Sequence, residues 1–134
     1  MIKDRTEKGL SLIRLGKSFR AAASGFGQAL RTEQNMRLHL IMAILVVLVG
    51  IWLEITGNEW MILAACIVAV MVVELLNTAI EYLSDVVRDE VGLKYETTKY
   101  PRDMAAAAVL LVSMAAAAIG LAILLPHFIV KIGW

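Results

Sequence analysis

The feature that most constrains the fold is a long apolar run from Met104 to Leu125. Only Ser113 and Gly120 interrupt the run, which stops at Pro126. A bilayer core about 30 Å thick needs roughly 20 mostly apolar residues in a helix. A buried helix of a soluble bundle would keep a polar outer face, and this segment has none. The run therefore predicts a transmembrane helix.

Two further apolar segments extend this prediction to an all-α integral membrane protein. The three predicted spans are about 38–55, 60–83 and 104–125. Hydrophobic residues make up 60% of the chain, against about 45–50% in soluble domains. The formal net charge of +1 argues against a nucleic-acid partner. Residues 1–134 are predicted to form a single membrane-embedded domain.

The first 33 residues are predicted to form an amphipathic helix on the membrane surface rather than a span. Apolar and basic side chains recur there at helical spacing: Leu12, Leu15, Phe19, Phe26 and Leu30 are apolar, and Lys8, Arg14, Lys17, Arg20 and Arg31 are basic. Apolar burial and anionic headgroups hold such a helix in the interface. Gly25 and Gly27 are expected to break or bend it before the first span.

The distribution of Lys and Arg predicts the orientation in a bacterial cell membrane. Residues 1–37 hold eight of the thirteen basic residues, and residues 54–59 hold none. The connection after the second span is basic again, with Arg88, Lys94, Lys99 and Arg102. Short loops rich in Lys and Arg stay in the cytoplasm. We therefore expect a cytoplasmic N-terminus, a cytoplasmic active site and an external C-terminus.

The second span carries a polar stripe. At about 100° per residue, four side chains of this span fall within an arc of roughly 80° on one helix face; they are Glu74, Asn77, Glu81 and Asp85. Glu74 lies deepest, roughly 10 Å from Glu81 along the axis. A carboxylate in the hydrocarbon region costs at least a few kcal/mol, so the stripe indicates a functional site.

The stripe fits phosphoryl transfer at the cytoplasmic interface. Carboxylates there can hold Mg²⁺ that bridges nucleotide phosphates, and a deeper carboxylate can accept a proton from an alcohol. The basic loop ending at Arg102 and Asp103 can neutralise phosphate charge. The alternative is a small proton- or cation-conducting protein. Conduction would need polar residues through the outer half of the bilayer, where all three spans are apolar, so we favour an ATP-dependent lipid kinase.

These residues resemble the prokaryotic diacylglycerol kinase / undecaprenol kinase family. The resemblance rests on three runs: T-E-Q-N-M-R-L-H-L at 32–40, V-E-L-L-N-T-A-I-E-Y-L-S-D at 73–85 and R-D-M-A-A-A-A-V-L at 102–110. The second run satisfies every position of the family's second-span signature. The resemblance covers about residues 14–125. It implies a homotrimer of three-span subunits with an N-terminal surface helix and active sites shared between neighbours.

The resemblance also implies roles for individual residues. Glu74 is expected to be the catalytic base, and Glu33 and Glu81 the Mg²⁺ ligands. The expected ATP-binding residues are Arg14, Lys17, Glu33, Asn77, Glu81, Asp85, Tyr95, Arg102 and Asp103. Besides Glu74, Arg37 and Trp52 are expected to contact the lipid substrate. The family's usual Lys before Asp103 is Arg102 here, which keeps the charge but changes the donor geometry.

The lipid substrate is expected to be undecaprenol. The family divides into diacylglycerol kinases and undecaprenol kinases, and the pattern E-x-N-x-R-x-H-L at 33–40 looks more like the second group. The expected reaction is ATP- and Mg²⁺-dependent phosphorylation of undecaprenol to undecaprenyl phosphate. The alternative is phosphorylation of diacylglycerol to phosphatidic acid.

Overall fold

The structure, a computed structural model, describes residues 12–133 and has four α-helices in that range. They are α1 (Leu12–Thr32), α2 (Gln34–Leu53), α3 (Gly57–Val91) and α4 (Tyr95–Lys131). Helices α2, α3 and α4 are each long and apolar enough to cross a membrane. The predicted all-helical fold with three apolar helices is confirmed. Residues 1–11 of the predicted surface helix lie outside the described range.

Helix α1 ends at Thr32 and not at the glycines. It continues through Gly25 and Gly27, so the predicted break there is wrong. A glycine weakens a helix interior by only about 1 kcal/mol, which the neighbouring helical turns can absorb. Glu33 has extended backbone angles (φ −99°, ψ 124°) and separates α1 from α2. The guanidinium of Arg37 then donates to the Arg31 carbonyl at 2.9 Å, which satisfies one of the free carbonyls at the end of α1.

A short turn joins α2 to α3. Glu54 adopts the left-handed conformation (φ 57°) after the last turn of α2. Thr56 caps α3: its hydroxyl accepts from the Glu59 backbone N–H at 3.4 Å, and its own N–H donates to the Glu59 carboxylate at 2.7 Å. This reciprocal pair is a capping box. Beside the turn, a Cβ on Gly50 would lie 2.8 Å from the Trp60 indole, so glycine allows the two helices to approach closely.

Helices α3 and α4 are longer than the predicted spans. The predicted spans left residues 84–103 as a connection, and this is wrong, because α3 reaches Val91 and α4 begins at Tyr95. The predicted stop at Pro126 is also wrong, since α4 continues to Lys131. At 1.5 Å per residue the two helices are about 52 and 55 Å long, whereas the hydrocarbon core is about 30 Å thick. Hydropathy marks where a helix leaves the lipid, and the backbone hydrogen bonds continue beyond that point.

The interior of the bundle is apolar at one end and contains buried polar side chains at the other. Near the α2–α3 turn, Leu53, Ile55 and Leu63 form a buried apolar cluster. Towards α1 the apolar Ala29 and Met36 are buried, and so are four polar side chains: Glu74, Asn77, Ser84 and Thr98. Many large apolar side chains on α2, α3 and α4 are exposed in the single chain, as expected for helices that face lipid or other helices in a membrane. The buried polar side chains at the α1 end locate the candidate site.

Candidate active site

The centre of the site is Glu74, a buried carboxylate on α3. Its side chain is 2% exposed. Its Oε2 atom has no hydrogen-bond partner among the described residues. The closest charged or ionisable group opposite it is the imidazole of His39 on α2, whose Nε2 lies 4.0 Å from Oε2. A buried, unpaired carboxylate is costly, so this position suggests a function that needs the group.

The next polar pair on α3 is Asn77 and Glu81, one and two helical turns after Glu74. Asn77 is 5% exposed, and its Nδ2 donates to Glu81 Oε1 at 3.3 Å. The other end of that amide, Oδ1, is buried without a partner. Glu33 stands at the junction of α1 and α2, and Glu81 lies two helical turns beyond Glu74 on α3. Helix α3 thus presents two carboxylates and one amide at the end of the bundle that carries α1.

A second group of charged side chains lies further along α3, where it faces α4. Asp85 Oδ1 accepts a hydrogen bond from Arg102 at 2.5 Å and forms an ion pair with Arg88 at 2.9 Å. The Arg102 guanidinium lies 5.7 Å from the ring centroid of Tyr95, within cation–π range. Arg102 therefore contacts two other residues that are predicted to bind ATP, Asp85 and Tyr95. Asp103, the next residue along α4, is exposed.

Four other predicted site residues are not brought to this group within the single chain. Arg14 and Lys17 are exposed near the start of α1, about 24 Å or more from Glu33 along the helix axis. Arg37 is occupied by the carbonyl at the end of α1. Trp52 packs against Phe128 at a ring distance of 6.0 Å, about 20 Å along α2 from His39.

The donor set can be tested for its fit to Mg²⁺. Among residues 12–133 there is no group of three or more His, Cys, Asp or Glu side chains arranged to hold a metal ion. Glu33 and Glu81 offer carboxylate oxygens, and Asn77, which contacts Glu81, has an unsatisfied carbonyl oxygen, Oδ1. Mg²⁺ prefers oxygen ligands and often takes only one or two carboxylates, with water and phosphate oxygens completing its shell. The donors present fit Mg²⁺ held jointly with a nucleotide.

His39 is the residue of the site that the sequence analysis missed. The signal was available, because His39 is an ionisable side chain at the start of a predicted apolar span and falls within the 32–40 run. Its position three residues after Met36, which is fully buried, places it on the inward face of α2. Only the packing of α2 on α3 shows that this face meets Glu74.

A separate polar cluster closes the opposite end of the bundle. Lys131 Nζ lies 2.7 Å from Glu54 Oε1, and His127 Nε2 lies 3.5 Å from Glu59 Oε2. The hydrogen bond from Lys131, and secondly its charge, hold the pKa of Glu54 below its usual value. These contacts tie the end of α4 to the α2–α3 turn. They are too far from Glu74 to take part in the same chemistry.

The chain is similar to known proteins over most of its length. The chain matches the family model for prokaryotic diacylglycerol kinase over residues 20–124, a range that includes every residue from Glu33 to Asp103. It is 37% identical over 115 residues to the undecaprenol kinase of Bacillus subtilis, covering 86% of this chain and 91% of that protein. It is 38% identical over 110 residues to a diacylglycerol kinase of Synechocystis, covering 81% of this chain and 61% of that protein. The diacylglycerol kinase of Escherichia coli K12 is 31% identical over 105 residues, covering 78% of this chain and 83% of that protein.

Proposed function

The chain belongs to the prokaryotic diacylglycerol kinase family and is a lipid kinase; on this premise we propose that it phosphorylates undecaprenol from ATP at the site around Glu74. One observation carries the location: a carboxylate buried to 2% exposure lies in a helix apolar enough to span a membrane. The nearby Asn77–Glu81 pair supplies the polar groups that a nucleotide and its metal need.

Undecaprenol is the preferred substrate on two grounds. The relative named undecaprenol kinase aligns over 91% of its own length, at 37% identity. The relative named diacylglycerol kinase with similar identity aligns over only 61% of its length. The 33–40 pattern also favours the undecaprenol group. Diacylglycerol remains the second candidate, because the relative from E. coli carries that name and aligns over 83% of its length.

In the proposed reaction Glu74 acts as the general base. The lipid hydroxyl gives its proton to the Glu74 carboxylate, its oxygen bonds to the γ-phosphorus of ATP, and ADP leaves with the electrons of the broken bond. Burial of Glu74 supports this role, because it keeps most water away from the carboxylate. Phosphoryl transfer otherwise depends mainly on positioning and charge compensation, which helices can supply without a glycine-rich loop.

Glu33 and Glu81 are the proposed ligands of Mg²⁺, with Asn77 beside them. The metal, when bound with ATP, compensates charge on the phosphates. In the chain itself, Asn77 donates to Glu81 and so fixes one of its oxygens. The second oxygen of Glu81 stays available for a cation, and the unpartnered Oδ1 of Asn77 offers a further oxygen.

The group around Arg102 is proposed to hold the nucleotide. Arg102 and Tyr95 can flank a phosphate or a nucleotide base. The carboxylates of Asp85 and Asp103 would position the charged groups around the nucleotide. Arg14 and Lys17 lie too far along α1 to reach Glu33 of the same chain, so they would serve the site of a neighbouring subunit. A homotrimer with shared active sites is the arrangement that we propose, with Arg37 and Trp52 as lipid contacts.

The proposed setting is a bacterial inner membrane with α1 on its cytoplasmic surface. Apolar residues of α1 such as Leu12 and Phe19 are exposed in the single chain, and a lipid interface would cover them. The N-terminus would be cytoplasmic and the C-terminus external. Conduction of protons or cations is disfavoured, because residues 60–73 between Glu59 and Glu74 carry no charged or amide side chain.

A competition assay tests the substrate. Purified protein in vesicles would receive Mg²⁺, ATP and an equimolar mixture of undecaprenol and diacylglycerol, and both phosphorylated lipids would be measured. We expect undecaprenyl phosphate to form faster. Faster formation of phosphatidic acid would assign the chain to the diacylglycerol kinases, and turnover of neither lipid would refute the proposed reaction.

A further inference from the structure

The contact between His39 and Glu74 has no role in the reaction as described so far. His39 Nε2 lies 4.0 Å from Glu74 Oε2, with side-chain exposures of 19% and 2%. The distance exceeds a hydrogen bond by about 1 Å. Oε2 is the atom that has no partner among the described residues. The imidazole therefore faces a fully buried carboxylate oxygen that lacks a donor among the described residues.

The surroundings leave His39 few other partners. It lines an apolar cavity of about 490 Å³ between α2, α3 and α4. Met42, Val70 and Leu121 are typical of the lining, and Ser113 is the only other polar side chain there. In such surroundings an imidazole N–H gains more from a carboxylate oxygen than it would in water. Glu74 is the acceptor that α3 places in front of it.

The positions of the two residues on their helices make the contact a property of the packing. His39 lies on the inward face of α2, one turn after the fully buried Met36. Glu74 is on the α3 face that contains the buried Asn77. A rotamer change or a shift of about 1 Å, within ordinary side-chain motion, brings the two groups to hydrogen-bonding distance.

We propose that His39 is a positioning residue for the catalytic base: its Nε2–H donates to Glu74 Oε2 and leaves the other carboxylate oxygen free to take the proton of the lipid hydroxyl. The inference rests on the proposed role of Glu74. It assigns His39 an effect on turnover through Glu74 and no contact with the nucleotide, since Asn77, Glu81 and Asp85 lie further along α3. The alternative is that His39 only fills space between α2 and α3.

A pair of substitutions of similar size separates these roles. His39→Gln keeps an N–H donor on a flexible side chain, whereas His39→Met keeps the volume and removes the donor. Both residues are good helix formers, and Met suits an apolar span. We expect His39→Met to lower kcat by about 10- to 100-fold, as for the loss of one hydrogen bond to a charged group. His39→Gln should stay within about fivefold of wild type. The KM for ATP should be unchanged in both.

A double-mutant cycle tests whether the effect passes through Glu74. In a Glu74→Gln background, His39→Met should change kcat by less than about twofold, because the group that it positions is gone. His127→Met is the matched control: His127 also faces a carboxylate, at 3.5 Å from Glu59, but at the other end of the bundle. We expect it to keep wild-type kcat.

The results that overturn the inference are distinct from those that overturn the role of Glu74. Equal turnover of the His39→Met and His39→Gln variants, whether high or low, would refute donation by His39. A loss of the same size in the wild-type and Glu74→Gln backgrounds would refute action through Glu74. If the Glu74→Gln variant alone kept wild-type turnover, Glu74 would not be the base, and the reason for the inference would be lost.

Discussion

Replacement of Glu74 by Gln is the sharpest test of the proposed reaction. The change removes the proton acceptor and keeps the shape of a side chain that is 2% exposed. A neutral amide is cheaper to bury than a carboxylate, so the fold and the assembly should persist. Glu81 lies two helical turns, about 10 Å, further along α3, so the metal and nucleotide groups are not altered.

The expected loss follows from the role assigned to the carboxylate. General-base catalysis typically contributes roughly 100- to 10,000-fold, which corresponds to about 2.7–5.4 kcal/mol of activation free energy. We expect kcat to fall by that factor. The KM for ATP should change by less than about twofold, because Glu74 interacts with the proton of the lipid hydroxyl and not with the phosphates.

The assay measures transfer of phosphate to lipid in vesicles, together with binding of Mg·ATP. Glu59→Gln is the matched control, because it also replaces a Glu of α3 by Gln but lies in the first turn of that helix, at the end of the bundle opposite the site. The Gln side chain can still complete the capping box with Thr56. Turnover of Glu74→Gln above about a tenth of wild type would contradict the reasoning, and Asp85 and Asp103 would then be the next candidates for the base. Failure of the variant to assemble would point to a structural role for Glu74.

Three further predictions concern the metal, the topology and the opposite end of the bundle. Glu33→Gln and Glu81→Gln should each abolish activity and weaken Mg·ATP binding, and unchanged Mg·ATP affinity in both would refute the assigned ligands. A reporter fused to the C-terminus should be active only outside the cell, and cytoplasmic activity would refute the three-span topology with its cytoplasmic N-terminus. Because Lys131 lowers the pKa of Glu54, their ion pair contributes stability above the unfolded pKa of Glu54, and this contribution is lost as the pH falls through the lower folded pKa. Glu54→Gln should therefore lower the melting temperature slightly at about pH 7 and not at about pH 3; an equal effect at both values would contradict the ion pair.

The sequence determined the features that depend on local geometry and on transfer to lipid. An apolar run of about 20 residues has few alternatives to a membrane helix, because every backbone group must be satisfied internally. The spacing of Glu74, Asn77 and Glu81 placed them on one face before any tertiary contact was known, since the helical period is fixed. Glu74 and Asn77 are indeed the two of these that are buried.

The tertiary structure decided how these helices end and what their polar faces meet. Hydropathy could not show that α4 continues through Pro101 and Pro126, because a helix in a bundle can compensate for a missing N–H through neighbouring groups. The approach of His39 to Glu74 joins residues on two different helices. Contacts of this kind depend on the rotation and depth of one helix against another. The helical period fixes which residues share a face of one helix and does not fix these two quantities. Only the packed bundle could therefore place a histidine beside the buried carboxylate.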